Sequence, residues 1–149
     1  MAAPESAVDL SVGHSFETAR RTITEADIVN FAGLSNDFNP LHVDEPFAAA
    51  TAFGRRIAHG QMIAAIVTGL RSELDRWPVL AYVGASRDFR GPIGAGDTIH
   101  AVYTISGSRP TSSDPERGVV TLDLKVLDQA GNEAMTGEDV MLVDLRRQG

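Results

Sequence analysis

The chain has 149 residues, no cysteine, 43% hydrophobic and 22% charged residues, and a formal net charge of −7 with a pI near 4.9. Without cysteine, disulfides, thiolate metal sites and a cysteine nucleophile are excluded, and the acidic balance argues against a nucleic-acid or anionic-membrane surface, because both need a basic footprint. One domain over residues 1–149 can bury roughly 70% of the surface its unfolded chain exposes, so a real core is expected without staples.

The opening residues, MAAPESAVDLSVG, lack the basic start and apolar run of a secretion signal, and no later run is long enough to span a bilayer. A cytoplasmic protein with no membrane partner is therefore expected. There is no internal repeat and no linker that would split the chain. Flexibility is expected in residues 1–13 and in GSRPTSSDPERG, 107–118.

In chain order, HSFETARRTI (14–23) reads as an edge strand. TITEADIVNFAGLS (22–35) predicts a short helix, with Thr24 as N-cap, Asp27 at N3 to complete a capping box and Ile23 stapled onto Ile28. Ile28, Phe31 and Ala32 fall on one face. In SNDFNPLHVDE (35–45), Pro40 pushes Asn39 toward extended geometry, so DFNPLH is expected to be a turn of fixed shape in which no regular helix runs. Asp44 or Glu45 ahead of Pro46 then starts a second short helix, EPFAAAT.

QMIAAIVTGLRSEL (61–74) is apolar nearly all round, the mark of a buried helix. Thereafter the pattern changes to period two in VLAYVGASRDF (79–89), DTIHAVYTISGS (97–108), GVVTLDLKVLDQ (118–129) and NEAMTGEDVMLVDL (132–145), the last two forming a hairpin. About five antiparallel strands and one long helix make an α+β fold, a curved sheet wrapped around a long central helix.

Asp37 and His42, five positions apart on a turn with Asn39 between them, are a carboxylate and an imidazole that can hold and polarise one water. Asp, Asn and Pro are also ordinary turn residues, and that reading leaves only His42 unexplained. In IAHGQM (57–62), Gly60 exposes the free N–H groups of a helix N-terminus, suited to a developing negative oxygen; equally, it permits close packing. His59 reads as structural. A metal site from His42, Asp44 and His59 has suitable ligand types, but no HExxH spacing or cysteine supports it, and no metal is expected. GxSxG, GxxxxGK[ST] and GxGxxG are all missing, which removes serine hydrolysis, nucleotide hydrolysis and dinucleotide redox chemistry. His14 and His100 read as surface or packing residues. Arg55, Arg56, Arg87 and Arg90 are either phosphate contacts or solvated.

The combination DFNPLHVDEPFA with IAHGQM resembles the MaoC-like (R)-specific enoyl-CoA hydratases and 3-hydroxyacyl thioester dehydratases of the hotdog fold. Asp37, Asn39, Pro40, His42 and Asp44 match that family's D-x-N-P-x-H and following acid, and Ala58, His59 and Gly60 match its A-H-G helix start. RDFRGPIGAGDTIHA is similar to its F-x-x-P and G-D-T segment, and the likeness spans roughly residues 15–145. The resemblance implies a single hotdog domain, a homodimer or higher oligomer with sites near the interface, no cofactor, and an enoyl-CoA or 3-hydroxyacyl-CoA substrate, with acyl carrier protein as the other carrier of the same pantetheine arm. It implies that Gly60 N–H binds the thioester oxygen while Asp37 and His42 hold the reacting water. Asn39, Pro40, Ala58 and His59 would support them or the substrate. A hotdog thioesterase and a non-catalytic acyl-thioester-binding hotdog protein are the competing readings.

Overall fold

A computed structural model describes residues 8–147 of the chain. Helix α1 (Glu25–Ser35) begins at the expected capping box: the Asp27 N–H donates to Thr24 Oγ1 at 3.1 Å, and Asp27 Oδ2 accepts from the Thr24 N–H at 2.8 Å. Ile28 and Ala32 are buried and Phe31 packs at the edge of the core. The helix stops where Asn36 adopts φ 59, a left-handed conformation that asparagine tolerates better than most residues.

The sheet is antiparallel, in the order β1-β4-β5-β6-β3, where β1 is Ser15–Glu17, β3 Val79–Phe89, β4 Thr98–Pro110, β5 Arg117–Leu127 and β6 Glu133–Asp144. A further strand, β2 (Arg21–Thr22), also pairs with β4. The period-two pattern places Ile99, Ala101, Tyr103 and Ile105 of β4, and Val120, Leu122, Leu124 and Val126 of β5, on one buried face. Met62, Ile63 and Val67 of helix α4 (Gly60–Thr68) complete the same core. A sheet curved around one helix is the hotdog arrangement.

Several expectations are corrected. The central helix is nine residues, not long: it closes at Gly69, and Ser72 opens a separate 3₁₀ turn, Glu73–Arg76, with its own capping box to Asp75. Nor is it buried all round, since Gln61, Ala65 and Thr68 are exposed. The N-terminal edge strand is split, because Thr18 bonds to both backbone groups of Ala101 and the Ala19 N–H then turns to Arg71 O at 2.7 Å; this raises the tally to six strands. Pro40–Val43 is a one-turn helix, α2, rather than a plain turn, because proline at its first position surrenders an N–H that has no partner there anyway. Helix α3 (Glu45–Ala49) follows, capped by Asp44.

Half of the segment 107–118 is paired strand, and the turn between is tied by Thr111 Oγ1 donating to Asp114 O at 2.6 Å and accepting from the Asp114 N–H at 3.1 Å. Of residues 1–13, the first seven lie outside the described residues; Leu10 is buried and the Gly13 N–H donates to Ile105 O at 2.8 Å. Among the described residues no helix is long and apolar enough to cross a membrane.

Candidate active site

Residues 35–45 are shaped by side chains bonding to nearby backbone. Ser35 Oγ accepts from the Asp37 N–H at 3.2 Å, and Asp37 Oδ1 accepts from the Asn39 N–H at 3.2 Å. Asn39 Oδ1 caps α2 by accepting from the Leu41 N–H at 3.0 Å, and Asp44 Oδ1 caps α3 by accepting from the Phe47 N–H at 2.9 Å. Such Asx geometry fixes a loop without a hydrophobic core of its own. Asn39 therefore steadies Asp37 with its backbone N–H, while its side chain is spent on the cap.

His42, at the end of α2, places Nδ1 2.7 Å from Ile57 O. A carbonyl only accepts, so Nδ1 carries a proton, and in the neutral ring Nε2 presents a lone pair. That lone pair faces Asp37 Oδ2 across 3.9 Å. The gap is too wide for a direct hydrogen bond. An oxygen about 2.8 Å from both atoms subtends roughly 90° between them, close to the angle at which a water donates its two protons. Asp37 is half exposed, whereas the His42 side chain is 11% exposed.

His59 is buried and braces both groups. Its Nε2–H donates to Asp37 O at 2.9 Å, and its ring stacks on His42 with centroids 3.8 Å apart. Its Nδ1 is buried without a partner. Ala58 is buried, and its N–H donates to Ile93 O at 2.6 Å, which fixes the approach to α4. Gly60 is the first residue of α4, so its N–H belongs to the free donors of the helix start. A Cβ there would lie 2.6 to 2.9 Å from the Phe89 ring. Only glycine lets Phe89 pack on the helix start.

A pocket of about 360 Å³ opens over His42 and Gly60, walled by Phe53, Ile57, Ile63, Phe89 and Met135 among others. Ala58 also lines it. Asp37 lies outside the lining, with Oδ2 3.9 Å from Nε2 of His42, which does line it; Asn39 and Pro40 are exposed and His59 is buried, and none of the three lines the pocket. Asp37, His42 and His59 bring possible metal-ligating atoms within 4.8 Å of one another. Two of the four imidazole nitrogens there are committed to carbonyls, and Asp44 is committed to its cap rather than to this group. Of the four arginines, Arg55, Arg56 and Arg87 pair with Asp97, with Glu25 and Glu45, and with Asp139; Arg90 alone of them lines the pocket. His14 bonds to Glu73, and His100 is buried near Glu17. Two contributors escaped the sequence reading. The Ile57 carbonyl is a backbone atom with no residue signature. Phe89 sits in the F-x-x-P segment, but its contact with Gly60 depends on tertiary packing.

Residues 8–127 match the family model described as MaoC like domain. The chain belongs to the MaoC-like dehydratase family. Enzymatic activity of the hydratase/dehydratase kind goes with that membership. The MaoC-like chain is 36% identical over 136 residues, 91% of its own length and 97% of the relative's, to the (R)-specific enoyl-CoA hydratase of Aeromonas caviae. It is 37% identical over 138 residues, covering 93% and 91% of the two chains, to the (R)-specific enoyl-CoA hydratase of Rhodospirillum rubrum. A crystal structure of a MaoC-like dehydratase from Rhodospirillum rubrum superimposes with a TM-score of 0.81 at 31% identity, over 91% of this chain and 93% of that one.

Proposed function

We propose that this MaoC-like enzyme adds water to a trans-2-enoyl-CoA to give an (R)-3-hydroxyacyl-CoA, and runs the dehydration in reverse. The observation that carries this reading is the 3.9 Å gap between Asp37 Oδ2 and His42 Nε2, two acceptors held apart by the width of one water beside an apolar pocket that His42 lines. A water there donates both protons and turns its oxygen lone pairs toward the pocket. The thioester carbonyl accepts from the Gly60 N–H at the positive end of α4, which draws electron density from C3 and stabilises the enolate that forms. As the water oxygen bonds to C3, the Asp37/His42 pair takes one of its protons and returns a proton to C2 on the same face. Ile57 O and the stacked His59 ring hold the imidazole in the tautomer this needs.

The working unit is a homodimer. Strand β3 ends the sheet with one edge unpaired by the other described strands, and Leu80, Tyr82 and Val83 on it are exposed. A long apolar edge of this kind favours pairing with a second copy. Val83→Lys is expected to shift the protein to monomer in sedimentation.

The test of the reaction is loss of the conjugated-enone absorbance of crotonyl-CoA, followed for the wild type and Asp37→Asn side by side. Loss that needs Asp37 and yields the hydroxy product supports hydration. Release of free CoA points to a thioesterase, and tight acyl-CoA binding without turnover to a binding-only protein.

A further inference from the structure

Among the residues that line the pocket over His42 and Gly60, Arg90 is the one lysine or arginine, and none is an acid. Arg90 follows the last residue of β3, Phe89, whose ring packs on the start of α4 at Gly60. Its side chain then turns away from the core. Nε donates to Thr136 Oγ1 at 3.3 Å, and Thr136 stands opposite Asp88, one position from the Met135/Phe89 rung that faces the pocket. Successive strand residues point to opposite faces, so the Thr136 hydroxyl and the guanidinium it holds lie on the outer side of the β3–β6 pair. The stem of Arg90 is at the pocket, and its charged end is outside, with the side chain 56% exposed.

That charge is largely uncommitted. Arg55, Arg56 and Arg87 are each closed on a carboxylate at 2.5 Å. The pair of Arg90 Nη2 with Asp88 Oδ2 spans 3.9 Å, too wide for a direct hydrogen bond, and Asp88 is itself 72% exposed. Thr136 accepts from Nε and keeps its own O–H to donate. In a chain of net charge −7, a planar guanidinium beside a hydroxyl at the edge of an otherwise apolar pocket is a fork suited to a phosphate.

We propose that Arg90 and Thr136 bind the phosphate at the far end of the substrate's pantetheine arm. The proposal rests on the acyl-thioester reading above. From thioester to phosphate that arm is as long as about four residues of extended chain, roughly 14 Å, enough to run from Gly60 over Phe89 and out along the Arg90 stem. The acyl chain takes the apolar remainder of the pocket. Coenzyme A and an acyl carrier protein both present this phosphate, the first as a pyrophosphate and the second as a phosphodiester. Asp88, the acid beside the guanidinium, opposes either.

Crotonyl-CoA, crotonyl-phosphopantetheine and crotonyl-pantetheine, which has the whole arm and no phosphate, are compared in the wild type, Arg90→Gln and Asp88→Asn. In Arg90→Gln the kcat/KM of each phosphorylated substrate relative to crotonyl-pantetheine is expected to fall about tenfold, through KM rather than kcat, the cost of a charge-assisted hydrogen bond near the surface. In Asp88→Asn the same ratios are expected to rise, and added salt is expected to shrink both shifts. An equal loss on all three substrates, as a damaged pocket would give, overturns the anchor, and so do ratios that stay at the wild-type value. A loss confined to crotonyl-CoA also overturns it, because the contact then lies at the nucleotide end. The wild-type kcat/KM for crotonyl-CoA against that for a crotonyl acyl carrier protein identifies the carrier. Butyryl-CoA and butyryl-pantetheine, which do not turn over, report the same ratio as affinities by calorimetry. A protein whose affinities show the Arg90-dependent difference but which hydrates no enoyl thioester refutes the reaction and keeps the anchor.

Discussion

Two pairs of an acidic and a basic side chain are built in opposite ways. Asp37 and His42 are held 3.9 Å apart, the acid half exposed and the imidazole pinned from behind by Ile57 O. Arg87 and Asp139 are closed at 2.5 Å and sealed in the core. In the open pair each partner is fixed by a third group and keeps an unused acceptor facing the other, which leaves room for a reacting molecule. The closed pair uses its charges on itself. Separation and solvent access, rather than the residue types, mark which pair is suited to chemistry.

Breaking each pair should therefore damage different things. Asp37→Asn is expected to lower kcat for crotonyl-CoA hydration by roughly 10²- to 10⁴-fold, with the unfolding midpoint in denaturant nearly unchanged, since the carboxylate is half exposed. Asp139→Ala, which strands a buried guanidinium, is expected to cost about 3 to 5 kcal/mol of folding stability, read from urea unfolding. A large stability loss in the first variant or a negligible one in the second would erase the contrast.

Gly60→Ala drives a methyl into the Phe89 ring. A drop of up to about 10²- to 10³-fold in kcat/KM is expected, the cost of losing a transition-state donor, and Phe89→Ala in the same chain is expected to recover part of it. No recovery would locate the damage elsewhere. Asn39→Ala removes a helix cap, costing about 1 kcal/mol of stability, with a fall in kcat smaller than that of Asp37→Asn. The reverse order would overturn the ranking.

The smallest effect concerns acid stability. Burial alone would raise the Asp97 carboxyl; the N–H of Gly94, the amide of Gln129 and the Arg55 guanidinium outweigh it and hold it below its usual value of 3.8. A folded value below the unfolded one gives stability that is full above the unfolded value and lost as pH falls through the folded value. Asp97→Asn is expected to flatten that acid limb below about pH 4 in pH-dependent urea unfolding, while leaving the slope at neutral pH alone.

Much of the fold is written locally. The Thr24 capping box, the Asp44 cap and the alternation of β3 to β6 follow from spacing within a few residues, and each stands where the pattern puts it. The length of the central helix was not legible that way, because apolar residues continue past Gly69 to Leu70 and Leu74, and only the Ser72/Asp75 capping box separates the two pieces. The same limit governs the site. Asp37, Asn39 and His42 announce themselves as polar residues around a proline, whereas the tautomer of His42 depends on a carbonyl 15 positions away and the crowding at Gly60 on a ring 29 positions away. Arg87 and Asp139 were hidden more deeply, since only the strand register brings them together.

The central claim is that one water, held between Asp37 and His42, adds to one face of the double bond. It is tested most directly by hydrating crotonyl-CoA in D₂O and reading the product by NMR and chiral analysis. A single diastereomer is expected, with the (R) configuration at C3 and deuterium at C2 on the same face as the new hydroxyl. An (S) product, or deuterium spread over both faces of C2 under initial-rate conditions, would contradict a single water and a single acid–base pair.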